Sequence, residues 1–333
     1  MTLIASVRCT DGIVLCADSQ ETVGVYRVAV TKLEPKKMGE YQVLIAGSGV
    51  GPLIDAFILR MENRMENEPE TSIPGFKRIF EKEFGDFRRD EMPAYQPTRE
   101  EKRVRFIVAV VSPNGEYEAW VSPPAFGRLR PVRLSELVGW EEALYTSIIK
   151  RLCKTATTLS IPQAILACVH LMTVAEENSN FVKGPFAVAI VVRQGIWMDS
   201  PDYVEDSRKR LADYESQINT LFLTCADSGL YMSQFNKRIN EFVHNVTIIH
   251  KMHLINLVRH MLEDKSTWEW ANEPYKRIPP GFNLSMMAGD FDDVISSAEK
   301  TELQEKIMEN FRDTPYGKRI MNDLEQSSHQ DGE

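Results

Sequence analysis

Apolar and polar positions at the start of the chain predict a β-hairpin. Residues 3 to 9 are mostly apolar and contain no Gly or Pro, and a second apolar run covers residues 13 to 17. Asp11-Gly12 separates the two runs. This dipeptide is typical of tight turns because Gly adopts positive φ without steric cost. The hairpin therefore brings Asp18, which follows the second run, back beside the start of the chain.

Further apolar runs rich in β-branched residues predict strands, and apolar positions three and four residues apart predict helices. The predicted strands cover residues 27–33, 41–46, 104–111, 117–121, 186–192 and 196–198, and the predicted helices cover residues 51–65, 76–89, 140–153 and 162–177. Strands and helices thus come in groups and do not alternate strictly. This order favours an α+β layered sandwich over a doubly wound parallel sheet.

The pattern changes after residue 199. Residues 203–262 are mostly helical in pattern, and residues 298–324 are charged and helical. The last residues are polar and without periodicity, which is typical of disorder. We therefore expect a domain over residues 2–200, a mainly helical C-terminal extension over residues 201–325 and a disordered tail over residues 326–333.

Charge and cysteine content narrow the classes of partner. The formal net charge of -9 repels a phosphate backbone, so we expect no nucleic-acid partner. The five cysteines form no CxxC pair, which predicts reduced thiols in a cytoplasmic protein. There is no signal segment, and no apolar run reaches the roughly 20 residues of a membrane helix. We expect no membrane association, no metal and no cofactor.

The second residue of the chain carries candidate chemistry. Thr2 follows Met1, and a small second residue is one from which the initiator methionine is normally removed. Its removal would leave a threonine with a hydroxyl and a free α-amine. The pKa of such an amine is about 7.7 to 8.0, so near neutrality it can accept the hydroxyl proton. One residue then supplies both nucleophile and base.

This chemistry requires a cation that lowers the pKa of the amine and a carboxylate that fixes the cation. Asp18 at the end of the hairpin is the candidate carboxylate, and Lys32 on a following predicted strand is the candidate cation. The backbone N–H of Gly47, where another predicted strand ends, is the candidate donor to the oxyanion.

These residues carry a resemblance to a known family. The segments Thr2-Leu-Ile-Ala-Ser-Val-Arg, Asp11 to Thr22, Thr31-Lys32 and Ala46-Gly47-Ser48-Gly49 resemble the opening of proteasome β-subunits and their bacterial ring-forming relatives, which are N-terminal-nucleophile (Ntn) hydrolases. The resemblance covers residues 2–198 in element order and is specific over the first fifty. It implies a four-layer αββα sandwich.

The resemblance also implies roles for individual residues. Thr2 is then the nucleophile, Asp18 and Lys32 are its supporting pair, and Gly47 donates to the oxyanion. Thr22, Ser48 and Gly49 contact the substrate. The chain departs from the family at its auxiliary positions, where Val138, Asn180 and Lys183 replace the usual Ser, Asp and Ser. Replacement of the missing groups by Ser135, Ser179 or Glu177 is one possibility, and weak or specialised activity is another.

Two further motifs could indicate a dinucleotide-binding turn and a metal site. Gly47-Ser48-Gly49-Val50-Gly51 between a strand and a helix resembles a dinucleotide-binding turn, yet Pro52 stands where the third glycine is expected. His250, His253 and His260 share one potential helical face and His244 lies a turn and a half earlier, yet HExxH is absent and no cysteine is near. The histidines are therefore interpreted as packed or solvated.

The expected function is that of a threonine-type peptidase, active through Thr2 inside a self-assembled ring. Family resemblance implies substrates that are peptides or unfolded proteins and allows an ATPase unfoldase or cap as a partner. Two alternatives remain: a non-catalytic structural subunit of such an assembly, and a small-molecule amidase of the same fold.

Overall fold

A computed structural model of the chain describes residues 2–23, 26–67, 72–95, 104–123, 128–139, 142–154, 159–199, 201–227, 229–263, 301 and 305. The strands of this part of the chain are β1 (Leu3–Arg8), β2 (Ile13–Asp18), β3 (Gln20–Val23), β4 (Tyr26–Ala29), β5 (Pro35–Met38), β6 (Tyr41–Ser48), β7 (Arg105–Val111), β8 (Tyr117–Val121), β9 (Arg130–Pro131), β10 (Ser135–Gly139), β11 (Phe186–Val192) and β12 (Gly195–Met198). The helices are α1 (Gly51–Asn67), α2 (Ile73–Asp90), α3 (Glu142–Lys154), α4 (Ile161–Asn178), α5 (Pro201–Ala226) and α6 (Met232–Glu263), with a 3-10 turn over Met92–Tyr95. The predicted α+β class is confirmed.

The first sheet contains the N-terminal hairpin. Its five strands are all antiparallel, in the order β10-β1-β2-β11-β12. The predicted hairpin is present, with Ile4 opposite Ala17. Gly12 does not have the positive φ expected of it. Glycine is required there for a different reason, because a Cβ would lie 2.8 Å from the carbonyl oxygen of Val191 on β11.

The second large sheet is also antiparallel, in the order β5-β6-β7-β8-β9. β6 pairs antiparallel with both β5 and β7, whereas a dinucleotide-binding turn requires a parallel βαβ unit. The glycines at residues 47–51 therefore do not belong to such a turn.

β3 and β4 form a separate two-stranded hairpin. The strand predicted over residues 27–33 ends at Ala29. The Val30 amide still donates to the Ser19 carbonyl at 2.7 Å, but Leu33 is buried in the apolar cluster between the two large sheets. Burial of Leu33 therefore takes the chain away from the hairpin before the predicted strand is complete.

The two large sheets face each other across an apolar cluster. Both contribute alternate residues of their strands to it: Ile4, Ile13, Leu15, Ala17, Val138, Ala189 and Val191 from the first, and Leu44, Ala46, Ile107, Ala109, Val111, Ala119 and Val121 from the second. Alternation follows from the period of two along a strand. The intervening residues of each strand therefore face the helices.

α1 and α2 pack on the outer face of the second sheet. Phe57 of α1 is fully buried and its ring lies 5.0 Å from Phe80 of α2 and 4.9 Å from Phe106 of β7, measured between centroids. Such aromatic contacts add about 0.5–1.5 kcal/mol each beyond the burial of area. α2 begins after Ser72, whose hydroxyl accepts from the Gly75 amide at 3.1 Å.

α4 packs on the outer face of the first sheet, against β1 and β2. Its buried positions follow helical spacing and are Ile161, Ala164, Ile165, Cys168, Val169, Leu171, Met172 and Ala175. Pro162 lies in the first turn, where a proline is tolerated. α3 contacts α4 and β10.

The chain divides into two compact units, Met1–Leu211 and Ala212–Glu333. The division falls within α5, and the domain boundaries expected from the sequence remain a prediction. The second unit contains the rest of α5 and α6, where the Asn245 side chain donates to Gln217 at 3.1 Å. The predicted tail, residues 326–333, lies outside the described residues. In the part of the chain that the structure describes, no helix is long and apolar enough to cross a membrane.

Candidate active site

The carboxylate of Asp18 is the centre of the candidate site. Asp18 ends β2 and its residue is completely buried. One carboxylate oxygen accepts from the Leu3 amide at 2.9 Å, and the other accepts from the Gln20 amide at 3.2 Å. The carboxylate is thereby fixed to the backbone on the C-terminal side of Thr2. A buried carboxylate with such partners is held in one position, because leaving any donor unsatisfied would cost free energy.

Lys32 supplies the cation that faces this carboxylate. Its Nζ lies 2.9 Å from Asp18 Oδ2 and donates also to the Gln20 carbonyl, and 8% of its side chain is exposed. The residue lies between β4 and β5 and not on a strand as the sequence suggested. The predicted pair of Asp18 and Lys32 is therefore in direct contact.

Burial shifts the pKa values of both partners of this ion pair. It raises the pKa of the Asp18 carboxyl, while Lys32 and the amides of Leu3 and Gln20 act against that rise. It lowers the pKa of the Lys32 ammonium, while Asp18 and Glu21 act against that fall. Burial thus opposes both charges, and each group favours the charged form of the other.

Thr2 lies directly before β1 and is buried, with 8% of its surface exposed. Its neighbour in the adjacent strand is Gly139, the last residue of β10, which pairs with Leu3 and has φ of 135°. A Cβ at Gly139 would overlap the Thr2 carbonyl oxygen. Gly139 is a site residue that the sequence analysis missed, since only the pairing of β10 with β1 brings it to Thr2.

Gly47, Ser48 and Gly49, the three site residues predicted at the end of β6, lie in different surroundings. Gly47 faces α1, and a Cβ there would lie 2.6 Å from Cγ2 of Ile54. This helix contact is the observed reason for glycine at the position. Ser48 is buried opposite Arg105 of β7, and Gly49 has φ of 133°. No contact described for these three residues reaches Thr2.

The predicted substrate-binding residue Thr22 lies on β3 opposite Arg27, and its side chain is outside the described part of the structure. The preceding residue, Glu21, was not singled out in the sequence. Its carboxylate lies against Gly51 at the N-terminus of α1, where a Cβ would overlap it. A carboxylate is favoured at this end of the helix dipole.

The departures at the auxiliary positions are visible in the structure. Val138 is fully buried between the sheets, opposite Ile4. Asn180 is exposed, and the Lys183 ammonium donates to the Glu176 carbonyl. The side chains at these three positions thus offer no hydroxyl to Thr2.

The suggested substitutes have other described partners or positions, and none has a described contact with Thr2. Ser135 pairs with Val7 at the far end of β10, four residues from Gly139, a separation of about 13 Å along a strand. The Ser179 hydroxyl accepts from the Phe181 amide at 3.1 Å, and Glu177 is exposed.

No group of three or more His, Cys, Asp or Glu side chains that could hold a metal ion occurs among the residues described above. His244 and His250 lie on α6. The side chains of His253 and His260 fall outside the described residues.

No protein-family model and no curated protein matches the chain. Solved structures do match. The Anbu (Gly-1) mutant from Hyphomicrobium sp. strain MC1 is 13% identical with a TM-score of 0.53, covering 66% of this chain and 96% of that one. Anbu (ancestral beta-subunit) from Yersinia bercovieri is 15% identical with a TM-score of 0.53, covering 69% and 99%. The chain shares its fold with Anbu proteins.

This finding corrects the family suggested by the sequence. The resemblance to proteasome β-subunits proper is wrong, because the structural neighbours are Anbu proteins, a distinct family of which one member is described as an ancestral β-subunit. Sequence identities of 13% and 15% support a shared fold, but they do not allow the roles of individual residues to be transferred. The roles of Thr2, Asp18 and Lys32 therefore have to be argued from the contacts of this chain.

Proposed function

We propose that the chain is an N-terminal threonine hydrolase that cleaves peptide bonds with Thr2 as its nucleophile, once Met1 has been removed. One observation carries the proposal: the buried Asp18 carboxylate joins the Lys32 ammonium to the Leu3 amide, next to Thr2. A buried ion pair is costly to maintain, and its contact with the residue after Thr2 supports a role for Lys32 as the cation of the site.

In the first half of the reaction, the α-amine of Thr2 accepts the proton of its own hydroxyl as that oxygen attacks the substrate carbonyl carbon. The carbonyl π electrons move to oxygen, and the Gly47 N–H stabilises the oxyanion. The amine then gives the proton to the leaving nitrogen, the C–N bond breaks, and an ester joins Thr2 to the acyl group.

In the second half, a water molecule attacks the ester carbonyl and gives a proton to the α-amine. The second tetrahedral intermediate collapses, the acid leaves, and the proton returns to the Thr2 oxygen. The Lys32 ammonium keeps the pKa of the α-amine below its usual value, so the amine is neutral near pH 7. Thr22, Ser48 and Gly49 contact the substrate.

The fold and assembly belong to the same proposal. We assign the layers α3–α4, first sheet, second sheet and α1–α2 to a four-layer αββα sandwich of the Ntn-hydrolase type within residues 2–200, followed by a C-terminal extension over residues 201–325. The chain self-assembles into a ring in the cytoplasm, acts on peptides or unfolded proteins, and accepts an ATPase unfoldase or cap.

The departures at Val138, Asn180 and Lys183 favour one second candidate, a non-catalytic subunit of the ring. Replacement of the expected Ser, Asp and Ser at these positions fits a chain that retains the fold without the chemistry. An amidase that acts on small molecules is distinguished by turnover of acyl amides without cleavage of peptides.

The first test is mass spectrometry of the purified protein to determine whether Met1 is still present, because retention of Met1 contradicts the mechanism. Fluorogenic peptides are then compared for the wild type, Thr2→Ala, Thr2→Ser and Thr10→Ala. We expect cleavage by the wild type and Thr10→Ala, residual cleavage by Thr2→Ser, and none by Thr2→Ala. Thr10 is an exposed threonine whose hydroxyl contacts Asp11, so its variant controls for loss of a threonine elsewhere. Native mass spectrometry tests the ring, which a monomer at micromolar concentration contradicts.

A further inference from the structure

A second ion pair joins a buried arginine to a half-buried glutamate that follows β10, the strand paired with β1. The Arg105 guanidinium at the start of β7 contacts the Glu142 carboxylate at the start of α3, and the side chains are 9% and 34% exposed. The Arg105 Nε also donates to the Ser122 carbonyl at 3.4 Å. The proposed chemistry does not use this pair.

Glu142 lies close in sequence to Gly139, the residue that packs against Thr2. It follows Gly139 by three residues, and a Cβ at Gly139 would overlap the Thr2 carbonyl oxygen. This tight contact between β10 and Thr2 is the route by which a displacement of Glu142 would reach the backbone of Thr2.

Arg105 is connected to the other side of the candidate site. It pairs with Ser48, the last residue of β6, next to Gly47. Arg105 also shares the alternation of Ile107 and Ala109, which lie between the sheets. The ion pair thus joins α3, which follows Gly139 of β10 in the chain, to the second sheet. This sheet carries Gly47, the candidate oxyanion donor.

The charge of Arg105 requires its partner. Another guanidinium, that of Arg88, lies near enough for Arg105 and burial together to lower the pKa of Arg88 to about 10. A buried arginine beside a second cation is stabilised by a carboxylate, and Glu142 provides one. Removal of Glu142 leaves two cations close together and displaces Arg105.

We propose that the Arg105–Glu142 ion pair is a positioning device that holds Thr2, through Gly139, at a fixed distance from the Gly47–Ser48 end of β6. This inference rests on the proposed function, since it concerns the alignment of the same nucleophile. Arg105 and Glu142 touch neither substrate nor reacting atoms. Their effect is on kcat, because misplacement of a nucleophile by about 1 Å can lower the rate about 100-fold.

The test compares Arg105→Met, Glu142→Gln and the double variant Arg105→Met/Glu142→Gln in full-length protein with a fluorogenic peptide. Glu142→Gln leaves the Arg105 guanidinium buried without a carboxylate, and Arg105→Met leaves a half-buried carboxylate without its cation. We expect each single variant to lower both the melting temperature and kcat. In the double variant no charge is unpaired, so the melting temperature recovers. We expect its kcat to stay about 10- to 100-fold below that of the wild type, with KM changed less than about twofold. Recovery of stability without recovery of kcat separates positioning from a purely structural role.

Glu176→Gln is the matched control. It breaks the ion pair between Glu176 of α4 and Arg208 of α5. The side chains of Glu176 and Arg208 are 16% and 34% exposed. We expect kcat unchanged in this variant. A double variant whose kcat recovers together with its melting temperature overturns the inference, as does an equal loss of kcat in Glu176→Gln.

Hydrogen exchange provides a readout that needs no substrate. Amides of residues 3–8 should exchange faster in the Arg105→Met/Glu142→Gln variant than in the wild type and in Glu176→Gln. If the wild type has no activity dependent on Thr2, the proposed function fails and the exchange alone decides the positioning. Unchanged exchange in the double variant contradicts it.

Discussion

The Asp18 carboxylate accepts a hydrogen bond from the Leu3 amide at 2.9 Å, across the open end of the N-terminal hairpin. This contact fixes the backbone next to Thr2 to the same carboxylate that holds the Lys32 ammonium. The position of the proposed nucleophile and the nearby positive charge thus depend on one buried side chain. The relationship gives direct predictions for substitution of Asp18 and for the effect of pH.

Asp18→Asn should abolish most activity and destabilise the fold. The amide keeps the size of the side chain but leaves the Lys32 ammonium buried without a counter-charge, which costs about 3–5 kcal/mol of unfolding free energy. Activity should fall about 10²- to 10⁴-fold, as measured by peptide cleavage at a temperature where the variant is folded. Asp90→Asn, at an exposed pair with Arg89, is the control and should change stability by less than about 0.5 kcal/mol. Full activity of Asp18→Asn would exclude the proposed role.

The pH dependence of kcat/KM should be bell-shaped. Activity falls at low pH as the Thr2 amine gains a proton, with a pKa below about 8 because of the Lys32 charge. It falls at high pH as Lys32 loses its proton, and because burial lowers the pKa of Lys32, this limb lies below the ordinary value of about 10.4. Melting temperatures measured at each pH control for unfolding. Activity that still rises at pH 11 in folded protein would contradict the role of Lys32.

Gly139→Ala should impair catalysis more than an ordinary glycine substitution does. Its Cβ would overlap the Thr2 carbonyl oxygen, and φ of 135° is unfavourable for alanine. We expect peptide cleavage to fall at least about 10-fold through displacement of Thr2. The control is Gly85→Ala in α2, where nothing lies within 4 Å of the new Cβ and where stability should rise by about 0.5–1 kcal/mol. Equal activity of the two variants would refute the effect on Thr2.

Cys225 should be the cysteine that reacts rapidly with Ellman's reagent in the folded protein. It is exposed, whereas Cys16, Cys153 and Cys168 are buried and burial raises the pKa of each of these thiols, which suppresses the reactive thiolate. The pKa of the half-buried Cys9 is raised as well. Cys225→Ser should remove the fast phase, and the other thiols should react only after unfolding in guanidinium. A fast phase that persists in Cys225→Ser would mean that one of the other four thiols is accessible, which contradicts the structure.

Local pattern was sufficient for the elements whose burial follows a single period. The hairpin of β1 and β2, the strand over Tyr117–Val121 and the helices near residues 76–89 and 162–177 all form within a few residues of prediction. Short elements were missed. β5, β9 and β10 contain two to five residues each, too few for a period to be visible, and they are stabilised by pairing with distant strands.

The pairing of Asp18 with Lys32 was predicted from residue types and spacing, and the structure brings the two side chains into contact. Gly139 could not be predicted, because β10 pairs with a strand that is distant in sequence, with Leu3 opposite Gly139 and Val7 opposite Ser135.

 The paired residues of β1 and β10 are therefore separated by 128 to 136 residues of chain, and no local pattern reports a contact over such a distance. Glu21 and Arg105 were missed for the same reason, since their partners Gly51 and Glu142 belong to other elements.

The sequence by itself determined the α+β class, the N-terminal hairpin and the candidate nucleophile with its ion pair. These features follow from apolar periodicity and from the chemistry of residues that are close in sequence. The tertiary structure alone decided the likeness to Anbu proteins, the packing of Gly139 against Thr2 and the ion pair of the buried Arg105 with Glu142. The physical reason is that strand order and the burial of charge depend on long-range pairing, which residue spacing along the chain does not specify.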